Sequence, residues 1–132
     1  MARLVPRRFL PAVAFALLLL VVSLLPAPEA GRPIPVLLGV ALDKWVHAGS
    51  YAVLAWLLAR ARGSRTLAAV VPVVALAACY GGGIELLQGL TPSRSLSGAD
   101  AMANAIGAVV GGGLWVALGR PVPTRARRQS EQ

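Results

Sequence analysis

The stretch Glu85-Leu-Leu-Gln-Gly-Leu-Thr-Pro-Ser-Arg-Ser-Leu-Ser-Gly-Ala-Asp-Ala-Met-Ala-Asn-Ala-Ile-Gly107 lies between two runs of residues suited to lipid. One run extends from about Leu67 to Leu90 and the other from about Ala99 to Leu118. Both have the length of roughly 20 residues that carries a helix across a bilayer. At their shared edge sit Glu85, Gln88, Arg94, Asp100 and Asn104. Each of these is costly beside hydrocarbon, so the placement calls for an explanation.

Upstream of this stretch, two more apolar segments appear. The first is Phe9-Leu-Pro-Ala-Val-Ala-Phe-Ala-Leu-Leu-Leu-Leu-Val-Val-Ser-Leu-Leu25, and the second runs from about Val36 to Ala59. The unbroken runs lack the period-two alternation of a membrane barrel. Composition agrees: of 132 residues 57% are hydrophobic and 14% charged, and the mean hydropathy is +0.70. A soluble domain of this size needs more polar surface. The expected fold is therefore all-α, an integral membrane bundle of four transmembrane helices over 9–25, 36–59, 67–90 and 99–118. A basic N-terminus, 1–8, precedes the membrane domain, 9–119, and a basic tail, 120–132, follows it.

The charges orient this bundle. The formal net charge is +8, carried by thirteen Lys and Arg against five Asp and Glu. Arg3, Arg7, Arg8, Arg60, Arg62, Arg65, Arg120, Arg125, Arg127 and Arg128 fall on one side of a four-span chain. Arg32, Lys44 and Arg94 fall on the other. The positive-inside rule then predicts a multi-pass membrane protein with both termini cytoplasmic. The basic residues form short clusters with no basic face of interleaved aromatics, so no nucleic-acid partner is expected.

Arg7-Arg8 before an apolar run and Leu25-Pro-Ala-Pro-Glu-Ala30 is similar to a secretory signal peptide. Pro28 occupies a place where cleavage wants a small residue, so an uncleaved first span is expected. The arginine pair matches a twin-arginine signal only weakly. The single cysteine, Cys79, reads as a small buried apolar residue. Trp45, Trp56 and Trp115 read as anchors at the membrane interface.

With this topology the polar residues converge. Asp43, His47 and Tyr51 share one helical stripe, as do Glu85 and Gln88, and Asp100 and Asn104. Lys44 and Arg94 complete a cluster at the outer end of the bundle, where these side chains face each other instead of lipid. Asp100 is also placed to cap the fourth helix. Gly107-Ala-Val-Val-Gly111 is a GxxxG pattern that lets another helix approach closely. Gly81-Gly-Gly83 permits close packing, a kink or unwound backbone beside Glu85.

The order Asp43-Lys44-x-x-His47-x-x-x-Tyr51, Glu85-x-x-Gln88, Arg94, Asp100-x-x-x-Asn104-x-x-Gly107 resembles the VanZ-like family of small bacterial membrane proteins. The likeness covers about residues 43 to 112. It implies a role at the outer face of the membrane on envelope lipids or cell-wall precursors, and a link to resistance to the glycopeptide teicoplanin.

The residue chemistry fits several functions. Glu85, His47 and Asp100 are the candidate catalytic groups, handling protons. Asp43, Lys44, Tyr51, Gln88, Arg94 and Asn104 are the candidate substrate-binding groups, with Lys44 and Arg94 for a phosphate-bearing head group. The competing reading is a non-catalytic scaffold or partner-binding module in which a Glu85–Arg94 or Asp100–Arg94 pair is structural. A third is a small transporter or lipid translocase, which with four spans would act as a homo-oligomer. The chain has no P-loop. One histidine beside several carboxylates is a thin ligand set, so no metal or other cofactor is expected.

Overall fold

The computed structural model describes residues 6–26, 33–92 and 95–119. A 3-10 turn at Arg7–Phe9 leads into α1, Leu10–Leu24. A small hairpin follows, β1 Val36–Leu37 paired antiparallel with β2 Val40–Ala41. Then come α2, Leu42–Arg62, α3, Leu67–Gly89, and α4, Gly98–Ala117. The described residues form a bundle of four α-helices. The helix at Arg7–Leu24 and the whole of α3 and α4 are long and apolar enough to cross a membrane.

Local chemistry sets the helix ends. Pro11 sits in the first turn of α1, where a missing N–H costs nothing. That helix stops as Leu25 turns extended before Pro26, as a residue preceding proline prefers. Gly63 closes α2 in the left-handed conformation, φ 81°, and its N–H bonds the Ala59 carbonyl at 3.0 Å. Ser97, not Asp100, caps α4. Its hydroxyl accepts the Asp100 N–H at 3.2 Å, leaving the Asp100 carboxylate free for other partners.

The second helix begins at Leu42 and not near Val36. The apolar residues 36–41, which extend a helical run in sequence, form the hairpin. Its two-residue turn holds Leu38 at φ 52° and Gly39 at φ 78°, both in the left-handed region that such turns require. The hairpin is tied down by Trp45 Nε1, which donates to the Leu37 carbonyl at 3.1 Å, and by the Leu42 N–H on the Pro35 carbonyl at 2.8 Å.

The helices alternate in direction. Lys44 meets Asp100 and His47 meets Asn104, while Gly107 packs on Ala48 and Gly111 on Ala52, so α2 and α4 run parallel. α3 runs against both: Gly81 packs on Tyr51 and Asn104, and Val70 and Val74 pack on Gly112. α1 runs with α3, because Tyr80 donates to the Ala16 carbonyl at 2.6 Å and Gln88 to the Ser23 carbonyl at 2.8 Å.

Small residues let the backbones close. A Cβ added at Gly107 would stand 2.0 Å from the Ala48 carbonyl oxygen, and one at Gly111 equally 2.0 Å from that of Ala52. The GxxxG pattern is thus the seam between α4 and α2. Gly81-Gly-Gly83 stays helical; Gly81 supplies close packing, with Tyr51 Cε1 2.8 Å from a notional Cβ, while Gly82 and Gly83 face open space.

Toward the other end of the seam, aromatic residues fill the core. Trp115 is buried and meets Trp56 edge to face at 5.4 Å. Its indole N–H donates to the Ser64 carbonyl at 3.0 Å, and the Arg65 guanidinium lies 3.8 Å over its ring. Arg65 also donates to the Trp115 carbonyl, where a cation suits the C-terminal end of α4. Two of the three tryptophans therefore pack on each other instead of facing lipid, and Trp45 alone keeps an exposed ring. Cys79, expected inside, is exposed on the outer face of α3.

Candidate functional site

At the other end of the bundle the seam turns polar. Asp43 and Lys44 lie in the first turn of α2, Asp100 in the first turn of α4, and Glu85 near the end of α3. Parallel α2 and α4 with antiparallel α3 bring these turns to one level. The Lys44 ammonium donates to Asp43 Oδ2 at 2.7 Å and to Asp100 Oδ1. It joins α2 to α4 in place of snorkelling to the surface.

One turn deeper, His47 Nδ1 lies 3.0 Å from Asn104 Oδ1. The amide oxygen can only accept, so Nδ1 is the donor of this bond. Asn104, and not Asp43, orients the imidazole. Nε2 then stands 4.0 Å from Asp100 Oδ1, and Nδ1 stands 3.9 Å from Glu85 Oε1. His47 is therefore flanked by one carboxylate from each neighbouring helix.

Glu85 is the most enclosed charged residue among those described, 2% exposed. Among the described residues neither of its oxygens is met with strict hydrogen-bond geometry, although the Ser97 main chain stands close enough for a weak hydrogen bond. Among the described residues the Tyr51 hydroxyl, Asn104 Nδ2 and Asp43 Oδ1 are likewise buried without a hydrogen-bond partner. Unmet polar atoms concentrated at one place mark a site whose bonding capacity the fold leaves open.

His47, Glu85 and Asp100 each offer a ligand atom, and these atoms lie within 4.8 Å of one another. That is the spacing of a cation site, but the Lys44 ammonium already holds the Asp100 carboxylate through Oδ1.

Not every expected site residue joins this group. Gln88 is buried on the same face of α3 as Glu85, but its amide is committed to the Ser23 carbonyl of α1 at 2.8 Å. Arg94, the expected partner of Glu85 or Asp100, lies outside the described residues. Beside the cluster a cleft of about 480 Å³ opens between α2 and α4. Trp45, Ala48, Ala99, Met102 and Ile106 line it, and Lys44 is its one charged residue. Sequence reasoning missed this cleft, though its small residues Ala99 and Ala103 sit one turn apart on α4 and signal a hollow.

Comparison with known proteins adds one finding. The family model described as VanZ/LLP1 matches residues 2–119. No curated protein and no solved structure matches the chain.

Proposed function

The chain belongs to the VanZ/LLP1 family, and from that premise we propose that it acts on an amphiphilic envelope lipid or cell-wall precursor at the outer face of the bacterial cytoplasmic membrane. All four helices span in this reading. α2 carries Asp43, Lys44, His47, Arg60 and Arg62 and is less apolar than its neighbours, yet its 21 residues reach about 31 Å, a full hydrocarbon thickness. The alternation of directions supports the same topology. It leaves the 3-10 turn at Arg7, the 63–66 loop and the end of α4 at one face, the one that the positive-inside rule assigns to the cytoplasm.

The observation that carries the proposal is Glu85. A buried carboxylate that no described side chain meets with strict hydrogen-bond geometry, beside a histidine held by Asn104, has the features of a proton-handling group. Glu85 is the proton acceptor, His47 relays or donates, and Asp100 holds Lys44 at the mouth. Lys44 and Arg94 are the cationic groups for a phosphate. The apolar cleft ending at Lys44 suits the hydrocarbon chain of the same molecule.

The Lys44 bridge between two carboxylates favours a second reading, a scaffold whose polar end is structural. One experiment separates them: teicoplanin and vancomycin susceptibility of a sensitive bacterium producing the wild type or Glu85→Gln at matched membrane levels. Protection against teicoplanin by the wild type alone, with unchanged thermal stability of the variant in detergent, is the expected result. Equal protection by both proteins would discard Glu85 as a working group. Protection by neither would leave the scaffold reading in place.

A further inference from the structure

The end of the bundle opposite the polar cluster holds a second cleft, of about 200 Å³. Arg7, Arg8 and Arg60 line it together with Pro11, Leu57 and Ala61. The 3-10 turn at Arg7–Phe9, closed by the Phe9 N–H on the Pro6 carbonyl at 2.9 Å, brings two successive arginines to the cleft. The last turn of α2 presents the third from the facing wall. Pro11 of α1 and the buried Ala61 of α2 complete the lining between these arginines.

Three like charges repel one another, and nothing described nearby neutralises them. The carboxylates among the described residues are Asp43, Glu85 and Asp100, all at the far end. From Asp43 to Arg60 along α2 is about 25 Å, well beyond a Debye length at physiological salt. Among the described residues Arg7, Arg8 and Arg60 take part in no ion pair; Arg8 lies only over the Phe9 ring, 5.4 Å from its centroid. A topology signal needs charge only somewhere in the flanking segment. It does not need two segments to place three arginines around one recess. Arg62 makes the contrast: two positions from Arg60 on the same helix and exposed like it, it lies outside the cleft.

We propose that this cleft binds a phosphate group, held by the paired donors of the three guanidinium groups. At the depth of a helix end the phosphate would come from an anionic phospholipid head group or from a soluble phosphate monoester. Basic recesses between spans at the cytoplasmic side suit lipid head groups. The site is separate from the polar cluster and does not depend on the function proposed for it.

The test uses the full chain, purified in detergent and stripped of lipid. Retention of phosphatidylglycerol and of phosphatidylcholine is read by native mass spectrometry, and glycerol phosphate is added in a second arm. The wild type should retain phosphatidylglycerol over phosphatidylcholine by about tenfold or more, as expected of several charge-assisted bonds. Arg60→Gln should lower that preference several-fold, and Arg62→Gln should leave it unchanged. Arg60→Lys keeps the charge that supports insertion but loses the forked donor, so a drop in that variant carries the test if Arg60→Gln folds poorly. Displacement of the lipid by millimolar glycerol phosphate assigns the soluble source, and no displacement assigns the lipid. No preference in the wild type, or equal losses from Arg60→Gln and Arg62→Gln, would overturn the proposal.

Discussion

α1 is a run of leucine, valine and alanine in which only Ala12 is buried, whereas α4 is broken by glycines and yet buries Ala103, Asn104, Gly107, Ala108, Gly111, Gly112 and Trp115. In water the more apolar helix would be the inner one. Here Leu17, Leu18, Val21 and Val22 of α1 are all more than half exposed, and the inner helix is built from small and polar residues. Lipid tails are as apolar as leucine, so burial in the bundle brings a leucine no hydrophobic gain. What separates inside from outside is close backbone approach and the satisfaction of polar groups.

The comparison is broken most severely at the glycine seam. Gly107→Leu and Gly111→Leu would drive a side chain into a carbonyl that a bare Cβ would already reach at 2.0 Å. Each should cost upwards of about 3 kcal/mol, the high end for overpacking, and abolish the folded bundle. Thermal denaturation in detergent and size-exclusion profiles would show it; a variant of normal stability would refute the seam.

Trp115→Ala comes next. It removes the edge-to-face contact with Trp56, the bond to Ser64 and the platform for Arg65 at once. A loss of about 3 kcal/mol is expected, typical of a large aromatic removed from a core. Removing a leucine from the lipid face of α1, as in Leu17→Ala, should stay within about 0.5 kcal/mol. Melting curves of the two variants side by side test the contrast, which fails if they match.

The finest version sits within a single glycine triplet. Gly81→Ala pushes against Tyr51 and Asn104 and should cost about 1 to 2 kcal/mol. Gly82→Ala meets nothing within 4 Å and should gain about 0.5 kcal/mol from helix propensity alone. The sign difference between adjacent alanine variants is the measurement, and equal signs would remove Gly81 from the packing argument.

The limits of α1, α3 and α4 were legible because long apolar runs end at proline, glycine and polar residues. The grouping of Asp43, Lys44, His47, Glu85, Asp100 and Asn104 was legible too, since helical spacing and alternating direction leave polar faces few places to go. The hairpin was not, because Val36 to Ala41 is as apolar as a helix and only Leu38-Gly39 hints at a turn. Hydrogen-bond partners were also beyond the sequence. Spacing cannot tell that Ser97 caps α4 while Asp100 takes Lys44, that Asn104 orients His47, or that Gln88 turns to α1. Trp115 and Cys79 were read on the wrong sides for the reason α1 illustrates: in lipid, apolar character alone does not report burial.

The attachment of α1 has a consequence for how its sequence can drift. Tyr80 and Gln88 on α3 grip it at the carbonyls of Ala16 and Ser23. A carbonyl belongs to the main chain, so no replacement at residue 16 or 23 that keeps the helix takes the acceptor away. α1 can exchange nearly every letter for another apolar one and still be recognised by its neighbour. The two donors on α3 have no such freedom, and in descendants of this chain Tyr80 and Gln88 should outlast the residues they hold.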